Sequence, residues 1–455
     1  MEQNHPHSFS MKNNNTLLSD KKESQELLSS MEFCVFDLET TGGNHKYDKI
    51  IEIGLIKIKN LQIIEKKHYL INPEIKIPEF IQKLTSIGQA DVAVCPTIDE
   101  VIEDVLDFMG NSVLVAHNTS FDIPFFNSVL KRLNIAERKN KSICTNLMTK
   151  YLIPNLLNSN LNYMSKIFNI KHAKAHRALD DALATAELLI HFLSIFIKKG
   201  IKKINHLYYP RNKFELDRIH LKNTNDNKKI KKDLGLIKTP FLITIKGKNG
   251  VILFSLPCLN LPLEHEFILE KLKILDWEII TIKLFGTLLE PLIAFSNAFC
   301  KFNKVLKCEI INFLETVHLS NKKDDKEKPN QKSYYSQFVI AKHLIPEQFI
   351  VYPLFSIQKK TGLIFRYPGH KKKLIQYVKS KISRLKKNKC KKDGFDPDLK
   401  SFLFDFLTYP KNQSKDYIIF EGNLFQKQNQ EFLAQLDIFS SEMPSTYNFP
   451  LEYIY

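Results

Sequence analysis

At 455 residues, 44% hydrophobic and 25% charged, the chain has the composition of a folded protein with room for two or three domains. Its seven cysteines contain no C-x-x-C pair, which excludes a disulfide or zinc framework and fits a reducing cytoplasm, and no apolar run is long enough for a membrane partner, Leu188–Ile197 coming nearest. The net charge of +17 is uneven: residues 1–200 hold 23 basic and 23 acidic side chains, so the whole excess falls on residues 201–455, where it would attract a polyanion.

Residues 1–30, polar and without an apolar centre, read as a disordered leader, with Met31 as an alternative start directly before the first strand. Phe33–Phe36 is apolar and β-prone, and the strand it begins ends in Asp37 and Glu39. Residues two apart share one face of a strand, so these carboxylates project together and repel unless a cation sits between them. Thr40, Thr41 and Gly42 then break the strand. Asp48–Lys59 and Lys67–Asn72 continue as an antiparallel meander. Pro78–Ile87 and Ile98–Met109 have helical spacing, the second with Thr97 and Glu100 as a capping box. A short strand, Ser112–Ala116, delivers His117, Asn118 and Asp122 to the start of a helix whose apolar face is Phe125, Phe126, Val129, Leu130 and Leu133. Ser142–Met148 reads as a strand and Leu161–Ile170 as a short helix. The run Ala175–Ala182 opens a helix to about Ile197, with His176 in the preceding loop, five residues before Asp181.

Asp37, Glu39, Asp122 and Asp181 are hard oxygen donors of the kind that suits magnesium or manganese. In this order, D-L-E-T-T-G at Asp37–Gly42, H-N-T-S-F-D at His117–Asp122 and H-R-A-L-D-D at His176–Asp181 resemble the DEDDh (DnaQ-like) 3′–5′ exonuclease family, over roughly residues 31–200. The resemblance implies an α/β ribonuclease H-like fold, a mixed five-stranded sheet flanked by helices. It implies that Asp37, Glu39, Asp122 and Asp181 hold two divalent cations, Mg2+ or Mn2+, and that His176 is the general base. Thr40 and Thr41 would meet the terminal nucleotide, and His117 and Asn118 the substrate or the groups behind it. The implied partner is a nucleic acid with a free 3′ end, DNA before RNA, in the company of a DNA polymerase or repair proteins. Between the neighbours Asp180 and Asp181, the family spacing selects Asp181. Arg177 receives no role.

Residues 201–238 read as a linker and 239–455 as a basic α+β domain that resembles no family. Phe241–Lys246 and Val251–Leu256 suggest a hairpin, Glu264–Leu275 a helix, Trp277–Leu284 a strand and Leu288–Leu319 a long helical region. Asn321–Lys332 reads as an exposed loop, and Tyr335–Ile340, Phe349–Ile357 and Gly362–Tyr367 as strands. Within His370–Lys392, Leu374, Val378, Ile382 and Leu385 form one apolar stripe among lysines. Lys371, Lys372, Lys373, Lys379 and Lys381 are therefore candidates for contacting nucleic-acid phosphates, with Tyr367 and Tyr377 as stacking or core residues. An exoribonuclease is the alternative enzyme. A polymerase- or repair-complex subunit whose second half docks a protein is the alternative of another class.

Overall fold

Phe33 to Phe36 make the centre of the first sheet because both faces of this strand are covered and only apolar side chains fit there. The computed structural model describes residues 27–153, 155–208, 215–223, 226–319, 336–387, 395–409, 416–426 and 430–443. They form two compact units, one from residues up to Met148 with His172–Phe214, the other from Thr149–Lys171 with Glu215–Tyr455.

The first unit is built on β1 (Glu32–Thr40), β2 (Ile50–Lys59), β3 (Gln62–Leu70), β4 (Val113–Ala116) and β5 (Ser142–Cys144). The sheet order is β3-β2-β1-β4-β5, antiparallel from β3 to β1 and parallel from β1 to β5. This is the mixed five-stranded sheet that the resemblance implies. Helices α1 (Ile98–Met109) and α2 (Thr119–Arg132) bury Val101, Ile102, Val105, Phe125, Phe126 and Val129 against Cys34, Phe36 and Leu55. The long helix α3 (Ala178–Lys198) packs on β1 and β2. The capping box at α1 is present, with the Thr97 backbone N–H donating to Glu100 at 2.8 Å. β5 stops at Cys144, where a helix takes over at Thr145 inside the stretch expected as strand. Of the expected leader, residues 1–26 lie outside the described residues. Residues 27–30 belong to the unit: Leu28 is fully buried and Leu27 bridges Lys203.

In the second unit, β6 (Arg218–Lys222), β7 (Phe241–Lys246), β8 (Ile252–Cys258) and β9 (Ile279–Leu284) form an antiparallel sheet of order β6-β9-β7-β8. Helices α4 (Pro262–Ile274), α5 (Leu289–Phe299) and α6 (Lys304–His318) belong with it. The long helical region expected over Leu288–Leu319 is thus two helices, and the Asn303 side chain caps the second by accepting from the Leu306 N–H at 2.9 Å. A second antiparallel sheet, β12-β11-β10-β13, uses β10 (Gln337–Lys342), β11 (Gln348–Pro353), β12 (Leu363–Arg366) and β13 (Tyr417–Glu421). Alternation along β10 sends Val339 and Ala341 to the core beneath α5. Its other face sends Phe338 and Ile340 to a core closed by α7 (Lys371–Lys386) and a C-terminal helix at Gln430–Ser441. Between these, α8 (Pro397–Thr408) packs beside α5 and α6.

Residues 215–223 and 226–238, expected within a linker, are built into this unit. Ile219 in β6 and Ile230 and Leu234 in the helix Asn227–Gly235 are buried, apolar positions too sparse among lysines to stand out in the sequence. The segment Thr149–Lys171 is also stitched in. Gln348 accepts from the Leu157 N–H at 2.8 Å and donates to the Asn155 carbonyl at 3.0 Å. The Tyr163 hydroxyl donates to the Pro346 carbonyl, while Arg366 lies 4.8 Å above the Tyr163 ring. No described helix is long and apolar enough to cross a membrane, and all six described cysteines are free.

Candidate active site

Asp37 and Glu39 leave the same face of β1, opposite Gly54 and Glu52 of β2. A bulge after Glu39 shifts the register, so that Thr40 pairs with Ile50. Asp122 stands in the first turn of α2 and is buried, and Asp181 stands in the first turn of α3. Glu39, His176 and Asp181 come together: one ligand atom from each lies within 4.8 Å of the other two. Asp37 and Asp122 complete the acidic group, close enough that the charge of Asp122 raises Asp37. Burial, then Asp122, Asp181, Glu39 and Glu52, holds the Asp37 carboxyl well above its ordinary range. Burial and the charges of Asp181, Glu52 and Asp122 push Glu39 up to about 8, against the pull of Arg177. Burial raises Asp122 to about 7, although the backbone amides of Asp122 and Leu38 partly offset it. Such carboxyls either keep protons or share a cation. An oxygen-rich donor set with one imidazole fits a hard divalent ion.

His176 is exposed, with a left-handed backbone (φ +62°) that turns its N–H onto Asp181 at 3.3 Å. The loop before α3 also brings in a second histidine, which sequence reasoning missed. His172 donates from Nε2 to the other Asp181 oxygen at 2.5 Å, and its Nδ1 is buried with no partner. Nothing in K-H-A-K marks it, because the contact depends on how the loop folds back.

Glu52 was also missed. Fully buried, it accepts from Arg177 Nη2 at 2.9 Å, the Ala178 N–H at 2.8 Å and His68 Nε2 at 2.7 Å. Burial opposes its charge, but these donors prevail and hold it below the usual carboxylate range. Arg177 is thereby a clamp on β2. The signal was a lone acid inside the otherwise apolar run Ile50–Ile56. At Gly54 a Cβ would come within 2.2 Å of the Ala178 carbonyl oxygen, so glycine lets the start of α3 reach the sheet beside Asp37.

The remaining candidates hold the surrounding turns. The Thr40 hydroxyl donates to the Gly42 carbonyl at 2.7 Å, and Thr41 Oγ accepts from the Lys49 N–H at 3.0 Å and donates to Asp48. His117 Nδ1 pairs with the Thr145 hydroxyl at 2.9 Å, and Asn118 precedes α2 and accepts from Ser120. In α7, Lys372, Lys373 and Lys379 are exposed and Lys371 half-buried, while Lys381 lies 5.2 Å over the Tyr377 ring. Tyr377 donates to the Thr361 carbonyl and packs, like Tyr367, on the core beneath α7.

Residues 34–189 match the family model RNase_T, described as an exonuclease. The chain is 40% identical over 176 residues to "DNA polymerase III PolC-type" of Caldanaerobacter subterraneus subsp. tengcongensis, covering 39% of this chain and 12% of that protein. It is 45% identical over 158 residues to "DNA polymerase III PolC-type" of Clostridium perfringens, covering 35% and 11%. Against "3'-5' exonuclease DinG" of Staphylococcus aureus (strain bovine RF122 / ET3-1) it is 35% identical over 185 residues, covering 41% and 21%. The chain therefore spans about a tenth to a fifth of the length of these relatives.

Proposed function

We propose that this chain, whose residues 34–189 form a domain of the DEDDh exonuclease family, is a metal-dependent 3′–5′ exonuclease that trims nucleic acid to 5′-mononucleotides. The observation that carries the reading is the convergence of Glu39, His176 and Asp181, with Asp37 and Asp122 completing the acidic group. Asp37, Glu39, Asp122 and Asp181 would hold two divalent cations, Mg2+ or Mn2+. When bound, such cations supply an acidified water and charge to brace the attacking and leaving oxygens. His176, exposed beside Asp181, takes the proton from the attacking water. The loop shaped by Thr40 and Thr41 receives the terminal nucleotide, with His117 and Asn118 contacting the substrate or the groups behind it. DNA is the favoured substrate, since the relatives are named as a DNA polymerase and a 3′–5′ exonuclease. The exposed lysines of α7 track phosphates, and the six free described cysteines accord with the cytoplasm.

The test is digestion of end-labelled single- and double-stranded DNA and RNA by the full chain, with magnesium and with chelator. Mononucleotides should appear from free 3′ ends only with the metal, and DNA should be degraded faster than RNA. His176→Ala should lose a factor of about 10² to 10⁴, less at high pH where hydroxide is plentiful. Cutting of covalently closed circles, or activity that survives chelation, would overturn the reading.

A further inference from the structure

The second unit contains a cavity of about 200 Å³ that the proposed nuclease chemistry does not use. Its polar lining comes from Asp217 beside β6, Lys283 of β9, Glu290 of α5 and His343 after β10. Asp217 is 5% exposed. Its Oδ2 lies 3.5 Å from Lys283 Nζ, and its Oδ1 is buried with no hydrogen-bond partner. Glu290, 7% exposed, accepts only a long bond of 3.3 Å from the Gly286 N–H among the bonds described for it. Its carboxyl is pushed up to about 8, by burial first. His343 accepts the Ile345 N–H on Nδ1 at 3.1 Å, which leaves Nε2 as its donor, and burial holds the imidazole down to about 4. The backbone around it is pressed close: a Cβ on Gly286 would stand 2.4 Å from the His343 carbonyl carbon.

A buried carboxylate oxygen without a partner is costly unless a ligand or water fills its need. The charges say which ligand. Lys283 offsets Asp217, and Glu290, pushed up to about 8, keeps its proton near neutral pH, so the polar wall carries little net charge for an ion to answer. A neutral molecule that carries both hydrogen-bond donors and acceptors suits such a wall. Apart from Asn155, the rest of the wall is mainly apolar, including Leu284, Ile350, Ile364 and the ring of Tyr352. The volume falls below the roughly 300–1,000 Å³ of sites for drug-sized ligands, which limits the occupant to about one ring system.

We propose that this cavity binds a single unpaired nucleobase, with Asp217 and Glu290 receiving its N–H donors and Lys283 and His343 donating to its ring or carbonyl acceptors. Guanine fits best, because it alone sets adjacent N–H donors on one edge and the O6/N7 acceptor pair on another. The base comes either from a free nucleoside or from an unpaired position in a strand. The proposal stands on the cavity alone and does not need the nuclease reading.

The test is calorimetric titration of the full chain, in chelator to prevent digestion, with guanosine, adenosine, cytidine, uridine and a short oligo-dG, and with spermidine and inorganic phosphate as charged controls. Guanosine or oligo-dG should bind, guanosine more tightly than the other nucleosides. Asp217→Asn and Glu290→Gln, both nearly isosteric, should each weaken it about 10-fold or more, and Ala294→Phe, at a residue of the cavity wall, should block it. Asp37→Ala should bind like the parent, which separates failure here from failure of the nuclease site. Binding of oligo-dG but not guanosine, still lost in Asp217→Asn, identifies the strand as the source. The proposal is overturned if neither binds at millimolar concentration, if the variants bind as the parent does, or if spermidine or phosphate binds more tightly.

Discussion

At the scale of single residues, the acidic group is a set of charges held together against their own repulsion. In an unfolded chain these carboxyls lose their protons near pH 4, whereas Asp122 and Glu39 in the fold keep theirs to about 7 and about 8. The folded state therefore binds more protons across that window, and without metal its stability should fall as pH rises from about 4 to about 8. Magnesium should remove the fall. Asp37→Ala should abolish cleavage yet raise the melting temperature of metal-free protein at pH 8, read in melts with and without chelator. A second prediction concerns His172, a positioning residue that fixes one oxygen of Asp181, itself grouped with Glu39 and His176. His172→Leu should weaken Mn2+ binding about 10- to 100-fold and lower kcat with little change in KM, whereas His172→Gln, which still offers an N–H, should recover most of both. Equal metal affinity in parent and Leu variant, by calorimetry, would sink the idea. The acids were legible because chemistry fixed their type and strand period fixed their direction. His172 was not, since a loop with a left-handed residue at its end carries no period to read.

At the scale of elements, the site depends on how closely α3 approaches β2. Gly54 removes the side chain that would hold them apart, and Glu52 ties the first residue of the helix and its preceding arginine to the strand. Removing one side of a buried charged pair costs about 3–5 kcal/mol, so Glu52→Ala should destabilise the chain by at least about 3 kcal/mol in urea melts. Glu52→Gln keeps the shape and should cost less, while still lowering turnover by letting Asp181 drift. If Glu52→Ala melts and cleaves like the parent, the clamp is not what seats the helix. Strands and helices with long apolar periods were readable in the first unit and in β7, β10 and α7. Elements with two apolar positions among lysines, such as β6, were not, because their burial is decided by partners far away in the chain.

At the scale of the whole molecule, the charge excess beyond residue 200 predicts how substrate binding responds to salt. Affinity for single strands should fall with a log–log slope of about −0.7 per phosphate contacted. Replacing Lys371, Lys372, Lys373, Lys379 and Lys381 by Gln should flatten that slope and raise KM while leaving kcat nearly unchanged, measured by titration and turnover across a salt series. An unchanged slope would favour the protein-docking account of the second half. The route of the chain has a further consequence for any attempt to divide these labours. The polypeptide leaves the first unit after Met148, lends Thr149–Lys171 to the second, returns at His172 and departs again after Phe214. The chain thus passes between the two units three times. A fragment ending at residue 200 would lose the Pro346 carbonyl that accepts from Tyr163 and the Gln348 side chain that holds Asn155 and Leu157. A fragment starting at residue 215 would lack the patch that covers those same partners. Neither fragment is a faithful half, and a nuclease core free to be transplanted would have to be excised by two cuts and a splice.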